Sequence, residues 1–390
     1  MDATADVVVV GAGIFGASIA FRLAVADAGR IVLVDERGPA GGNSGRTFSQ
    51  VRRHYSNELT IRMANRGFET FANWADEVGM GDSGYEPLGY LLLVPPEAVD
   101  ACRANVDLGQ RLGVDASFVL PDEIAGIEPL IALKGVAGGA YEPSGGVIDV
   151  HRMILSWVAA GQARGLMTRF GEGVRSIIVA EGQVTGVRLA NGGAISAPVV
   201  VNAAGAWGPA LVRPLGVEVP VSFERLDMAW LRQHAGRPQV RLCITDTAGG
   251  LVMRPDRGPI ALAVAYAQDA TVDLPETDGG VLPGYEASLR AVLAQRVPAY
   301  ADAQWIRGTS GVYDATPDWH PILGWAPGVK GLYLALGWSG HGLKLAPAVG
   351  EIVADVVRGQ MPFVDPAPLR LERFAEGDLM RLAYGPGARA

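Results

Sequence analysis

The chemistry-bearing pattern nearest the start of the chain is Gly11-Ala12-Gly13-Ile14-Phe15-Gly16, followed about 20 residues later by the carboxylate of Asp35. Gly11 permits a tight turn, Gly13 lets a phosphate approach the backbone, and Gly16 lets the next helix pack closely on the strand before it. A helix starting here presents free N–H groups and a positive dipole end to a pyrophosphate. Asp35 suits ribose hydroxyls and disfavours a 2′-phosphorylated cofactor. The spacing therefore predicts a dinucleotide site without separating FAD from NAD. A second glycine-rich run, Gly337-Trp338-Ser339-Gly340-His341-Gly342-Leu343-Lys344, carries one of only three lysines, the others being Lys134 and Lys330.

The flanking elements fit that reading. After Asp6, the run Val7-Val8-Val9-Val10 is apolar and β-branched, suited to a strand buried on both faces, and Ile31-Val32-Leu33-Val34 forms a second apolar run. Helices are expected over 57–79, 97–112, 151–164, 286–296 and 343–358, by apolar periodicity and capping signals. Strands are expected over 88–94, 174–179, 184–189, 195–201 and 331–336, with Asn191-Gly192 as a hairpin turn. Residues 217–266 read as strand-rich and broken by Gly and Pro. Strands and helices alternate at both ends, with a meander-like β region between.

The composition narrows the function classes. The 390 residues are 49% hydrophobic and 19% charged, which excludes a disordered chain. A net charge of −8 argues against a nucleic-acid partner. Cys102, Cys243 and five scattered His supply neither a disulfide framework nor a zinc site, so no metal is expected. No apolar run reaches the ~18 residues of a membrane span, and the start lacks a basic, signal-like segment. A cytoplasmic location is the expectation.

Four further segments share a pattern: Gly41-Gly42-Asn43-Ser44-Gly45-Arg46-Thr47 with Arg52 following, Val201-Asn202-Ala203-Ala204-Gly205-Ala206-Trp207, Thr316-Pro317-Asp318, and the late glycine run. In this order they resemble the D-amino-acid oxidase superfamily of flavoenzymes, and sarcosine oxidases most closely, especially their heteromeric β subunits. The resemblance implies a glutathione-reductase-type, Rossmann-like FAD-binding domain (α/β) with an inserted mixed or antiparallel-sheet substrate domain. The expected division is 1–84, 140–216 and 308–390 for FAD, with 85–139 and 217–307 for substrate.

It also implies site residues. Gly11, Gly13, Ile14, Phe15, Gly16, Asp35 and Glu36 would hold the ADP half, with Val174 at the adenine. Ser44, Arg46, Thr47, Ala203, Gly205 and Trp207 would pass close to the cofactor, and Gly340, His341, Gly342, Leu343 and Lys344 would sit at the flavin ring. Arg52 and Lys344 would bind the carboxylate of a small amino-acid substrate, since a planar guanidinium fork suits that group. His341, Trp338 and Tyr55 complete the expected catalytic group. The implied reaction is hydride transfer from the carbon beside the substrate nitrogen to flavin N5, giving an imine that hydrolyses.

Three departures from the pattern sharpen these expectations. Gly311 stands where monomeric sarcosine oxidases carry a flavin-bonding Cys, so FAD is expected to be non-covalent. His151 is one position away from matching the site of a second flavin. Residues 260–266 contain no lysine to assist oxygen, with Arg254 or Arg257 as substitutes, so the electron acceptor is oxygen or another carrier. The alternatives are a flavin-carrying subunit of a hetero-oligomeric dehydrogenase, a D-amino acid or glycine oxidase, and a nicotinamide dehydrogenase on a plain Rossmann fold.

Overall fold

The computed structural model describes residues 3–266, 271–273, 275–277, 279–380 and 383–384. The remaining parts of the expected 217–307 and 308–390 stretches, together with residues 1–2, lie outside the described residues.

The apolar run Val7–Val10 is buried throughout and lies inside a six-stranded sheet. Ile31–Asp35 and Val199–Asn202 flank it in parallel, with Met167–Phe170 and Leu332–Leu336 beyond them, also parallel. Ile322–Trp325 closes one edge antiparallel. Alternate side chains explain why no polar position interrupts the first strand. Val7 and Val9 pack under the helices Ile14–Val25, Val150–Gln162 and Gly342–Val357. Val8 and Val10 pack against a four-stranded sheet that contains the hairpin Val174–Ala180 and Gln183–Leu189. Both faces are dry, as in other parallel sheets.

One expected strand divides. Residues 195–201 become Ala194–Ser196 in the four-stranded sheet and Val199–Asn202 in the six-stranded one. Pro198 lies between them and has no N–H for a ladder, so the chain changes sheets there.

The second region is a nine-stranded sheet built on Ser222–Arg232, Ile260–Ala265, Leu251–Pro255, Cys243–Asp246, Tyr90–Val94, Gly138–Glu142 and Ser117–Val119, with Thr271–Val272 at one edge. Its ninth strand, Gln304–Ala315, pairs with Ser222–Arg232 along almost its whole length. The helix Tyr285–Arg296 covers one face through Tyr285, Leu289 and Leu293. Leu226, Met228, Leu262 and Val264 lie in a separate apolar cluster with Phe48. Gly138–Glu142 and Gln304–Ala315 both belong to this sheet.

Candidate active site

The glycine turn closes on itself through backbone. Gly11 has φ +99°, and a Cβ there would stand 2.6 Å from the Ala203 carbonyl oxygen. A Cβ on Gly16 would stand 1.6 Å from the Gly11 carbonyl oxygen. The helix Ile14–Val25 starts from Gly13, with no acid in its first turn and no cap from its own side chains. The Ser44 hydroxyl accepts from the Ile14 amide at 3.0 Å. Asp35 accepts from the amides of Ala12, Arg37 and Gly38, each at 2.7 Å, and so ties the glycine turn to the loop after its own strand.

This turn lines a cavity of about 390 Å³. Of the residues expected to hold a cofactor, Gly11, Gly13, Ile14, Phe15, Asp35, Glu36, Ser44, Arg46, Thr47, Val174, Ala203, Gly205, Trp207, Gly340, Gly342 and Leu343 line it. Gly16 lies behind the turn, and His341 and Lys344 are not in the lining. Leu226, Met228 and Val312 give it an apolar side from the nine-stranded sheet. Arg46 keeps one guanidinium nitrogen, Nη1, buried with no hydrogen-bond partner among the described residues. A buried donor of this kind needs an acceptor, and a phosphate oxygen is a strong one. With the open helix end beside it, the residues present fit FAD.

Arg52 follows the short strand Gln50–Val51, and Lys344 lies in the first turn of Gly342–Val357. Both are buried and both face the Tyr55 ring, with the Arg52 guanidinium carbon 4.7 Å and Lys344 Nζ 5.7 Å from its centroid. The helix Glu58–Ala72 comes close enough to position Lys344 only because Gly67 has no side chain: a Cβ there would lie 2.1 Å from the Lys344 carbonyl oxygen. Burial, with the Arg52 charge, pulls the Lys344 ammonium well below its ordinary range, while Glu142 opposes the shift. The Tyr55 hydroxyl is buried without a hydrogen-bond partner among the described residues, and burial raises its pKa. The Arg52 guanidinium, the Lys344 nitrogen and the Tyr55 hydroxyl thus gather around one ring, and groups of these kinds can donate to a carboxylate.

The other expected residues separate into groups. His341 is the N-cap residue of Gly342–Val357, with its ring tilted against Tyr55 at 5.5 Å and stacked with His320 at 6.4 Å. His320 contacts the Asp318 carbonyl at 2.7 Å and Asn57 at 3.0 Å, as a structural histidine does. Trp338 stacks on Phe15 with centroids 3.3 Å apart, and both line the cofactor cavity, so Trp338 stands with the cofactor group. Neither substitute for the missing lysine reaches the lining. Arg254 donates to the Phe48 carbonyl at 2.6 Å and to the Pro255 carbonyl at 2.8 Å, and Arg257 is 86% exposed.

Two buried acids were not anticipated. Glu142 accepts from the Arg53 amide at 2.8 Å and from Arg53 Nε at 2.9 Å, and it is the nearby counter-charge to the anchor pair. The signal was a lone acid ending an otherwise uncharged run, Gly138–Glu142. Asp314 lines the cavity, accepts from the Gly337 amide at 2.9 Å, and is pushed up to about 6 by burial.

Comparison with known proteins agrees with this geometry. The family described as FAD dependent oxidoreductase (DAO) matches residues 6–356. Human peroxisomal sarcosine oxidase is 28% identical over 95% of this chain and 96% of its own. Glycine oxidase of Geobacillus kaustophilus is 27% identical over 94% of this chain and 97% of its own. The crystal structure of L-proline dehydrogenase from P. horikoshii shares the fold, with TM-score 0.88 at 22% identity, over 97% of this chain and 100% of that one. With that span matched and the nucleotide cradle in place, the chain belongs to the DAO family of FAD-dependent oxidoreductases.

Proposed function

We propose that this FAD-dependent amine or amino acid oxidoreductase oxidises the C–N bond of a small secondary or N-alkyl amino acid, sarcosine-like in size. The observation that carries the reading is the buried Arg52–Lys344 pair, both within 6 Å of the Tyr55 ring centroid at 4.7 and 5.7 Å. Similarity to a sarcosine oxidase and a glycine oxidase supports a small substrate.

Arg52 and Lys344 bind the substrate carboxylate, and the arriving anion restores the charge that burial withdraws from Lys344. Tyr55 walls the site and offers its hydroxyl to the same ligand. Fixing the carboxylate orients the carbon beside the nitrogen, a proximity effect. Bound FAD supplies the two-electron acceptor for the hydride leaving that carbon. The amine also loses a proton, leaving an imine that water hydrolyses. Gly311 in the lining, with Cys102 and Cys243 buried in a different apolar cluster, supports non-covalent FAD.

The test is anaerobic mixing of the purified yellow protein with N-methyl amino acids, proline, glycine and D-amino acids. Bleaching by the first two groups supports the reading. Bleaching only by glycine or D-amino acids selects the alternative oxidase, and no bleaching at all sinks the substrate class. The subsequent rate of reoxidation in air separates oxygen from another carrier as acceptor. Full turnover by a lone monomer removes the alternative of a subunit in a larger complex. Acid precipitation that leaves the yellow colour in the supernatant establishes that FAD is not covalently held.

A further inference from the structure

The family match stops at residue 356, yet the chain beyond it returns to the anchor site. Arg373, fully buried, grips Asp318 through two nitrogens at 2.8 and 2.9 Å and donates to the His320 carbonyl at 2.8 Å. The Met380 amide then donates to Asp318 at 3.2 Å, and the Ala383 amide to the Ser56 hydroxyl at 3.2 Å. The next residue, Tyr384, is hydrogen-bonded through its hydroxyl to His54 Nε2 at 2.7 Å, with the two rings 6.0 Å apart. His54 is buried, and its backbone carbonyl accepts a hydrogen bond from Arg52 Nη1.

We propose that Tyr384 is a positioning residue for substrate binding: through His54 it fixes the carbonyl that orients the Arg52 guanidinium toward the carboxylate. This rests on the reading of Arg52 as carboxylate anchor. Bidentate recognition needs the guanidinium plane held at one angle, and a free carbonyl on a mobile loop cannot hold it. The other ring nitrogen of His54, Nδ1, is buried without a hydrogen-bond partner among the described residues, so within them the Tyr384 contact is the hydrogen bond that holds the imidazole.

The test uses the FAD-loaded full chain and Tyr384→Phe, which removes one oxygen atom. The probe is 2-furoate, a flat carboxylate with no oxidisable amine, titrated against the flavin absorbance, with pyrrolidine as a carboxylate-free control. The expected result is a Kd for 2-furoate and a KM for the best amino acid each raised roughly three- to ten-fold, with kcat within about two-fold and the pyrrolidine Kd unchanged. His54→Ala should weaken 2-furoate similarly, and adding Tyr384→Phe to it should cost nothing more, because the two act as one unit. An unchanged 2-furoate Kd in Tyr384→Phe, equal weakening of 2-furoate and pyrrolidine, or full additivity with His54→Ala overturns the proposal. If 2-furoate and every amino acid leave the unsubstituted protein's flavin spectrum unmoved, the carboxylate-anchor reading itself fails, and this proposal with it.

Discussion

In the cofactor cradle the strong contacts run through backbone: Gly11 against Ala203, Gly16 against Gly11, and three amides on Asp35. In the proposed carboxylate anchor they run through buried ionisable groups: Arg52 and Lys344 near one tyrosine, with Glu142 held by Arg53. A cradle of backbone is nearly complete before its ligand arrives, with the buried Arg46 Nη1 still to find an acceptor. An anchor of like charges is not, because desolvated cations cost free energy until an anion joins them. On that reading the first region suits a resident cofactor and the second a ligand that comes and goes.

The largest expected effect breaks the permanent side. Gly16→Val places side-chain carbon where only 1.6 Å separates a Cβ from the Gly11 carbonyl oxygen. The strand, turn and helix must then separate, at a cost of about 4 kcal/mol or more. The purified variant should be colourless and melt well below the parent. A yellow protein with parental Tm would show that the cradle is not as rigid as its contacts imply.

The next effect tests the exchange side and has opposite signs in two assays. Lys344→Met keeps the length of the side chain and removes a cation that burial disfavours. Substrate kcat/KM should fall by about 2–5 kcal/mol, roughly 30- to several-thousand-fold. The ligand-free Tm should rise, because an apolar side chain of similar volume replaces a desolvated ammonium. A fall in Tm would mean that Lys344 stabilises the fold, and the contrast between the two regions would collapse.

A third prediction concerns pH. The folded pKa of Lys344 is depressed, so between that lowered value and 10.5 the folded chain binds fewer protons than the unfolded one, and stability rises with pH across that window. Carboxylate binding runs the other way, because the anion prefers charged Lys344. The affinity for 2-furoate should fall as pH rises through the lowered value, well below 10.5. Lys344→Arg, charged at every accessible pH, should flatten that fall. The same slope in both proteins would place the titrating group elsewhere.

The same contrast explains what was legible in the sequence. The cradle's determinants are local, so Gly11 through Gly16 and Asp35 could be read from spacing alone. The anchor assembles Arg52, Glu142 and Lys344 from three distant segments, and only resemblance pointed to Arg52 and Lys344. Glu142 carries no periodic or motif signal, because its role is set by the tertiary partner Arg53. Gln304–Ala315 escaped because its burial changes along its length, from half-exposed at the sheet edge to buried at the cofactor cavity, so no single alternation marks it. The strand expected over 195–201 was divided by a proline whose effect depends on two different sheets being within reach. The stack of Trp338 on Phe15 had no sequence signal, because it joins segments more than three hundred residues apart.

The smallest effect asks whether the cradle has any charge-dependent component. Glu276 accepts from Arg37 through two bonds of 2.6 Å and from Arg46 at 2.9 Å, and the neighbouring Pro275 carbonyl accepts from Asn43 at 3.0 Å. Arg37, Asn43 and Arg46 all line the cofactor cavity, so this clasp ties the inserted sheet's chain across cofactor-facing residues. Glu276 and its partners are partly exposed, which limits such pairs to about 0.2–1 kcal/mol each. Glu276→Gln should therefore speed FAD release only about two- to five-fold at low ionic strength, followed as flavin fluorescence after dilution. About 0.5 M salt should release FAD from the parent at nearly the rate of the variant, because it screens the same pairs. A change of a hundred-fold would make Glu276 part of the permanent structure, and the cradle would then depend on charge as the anchor does.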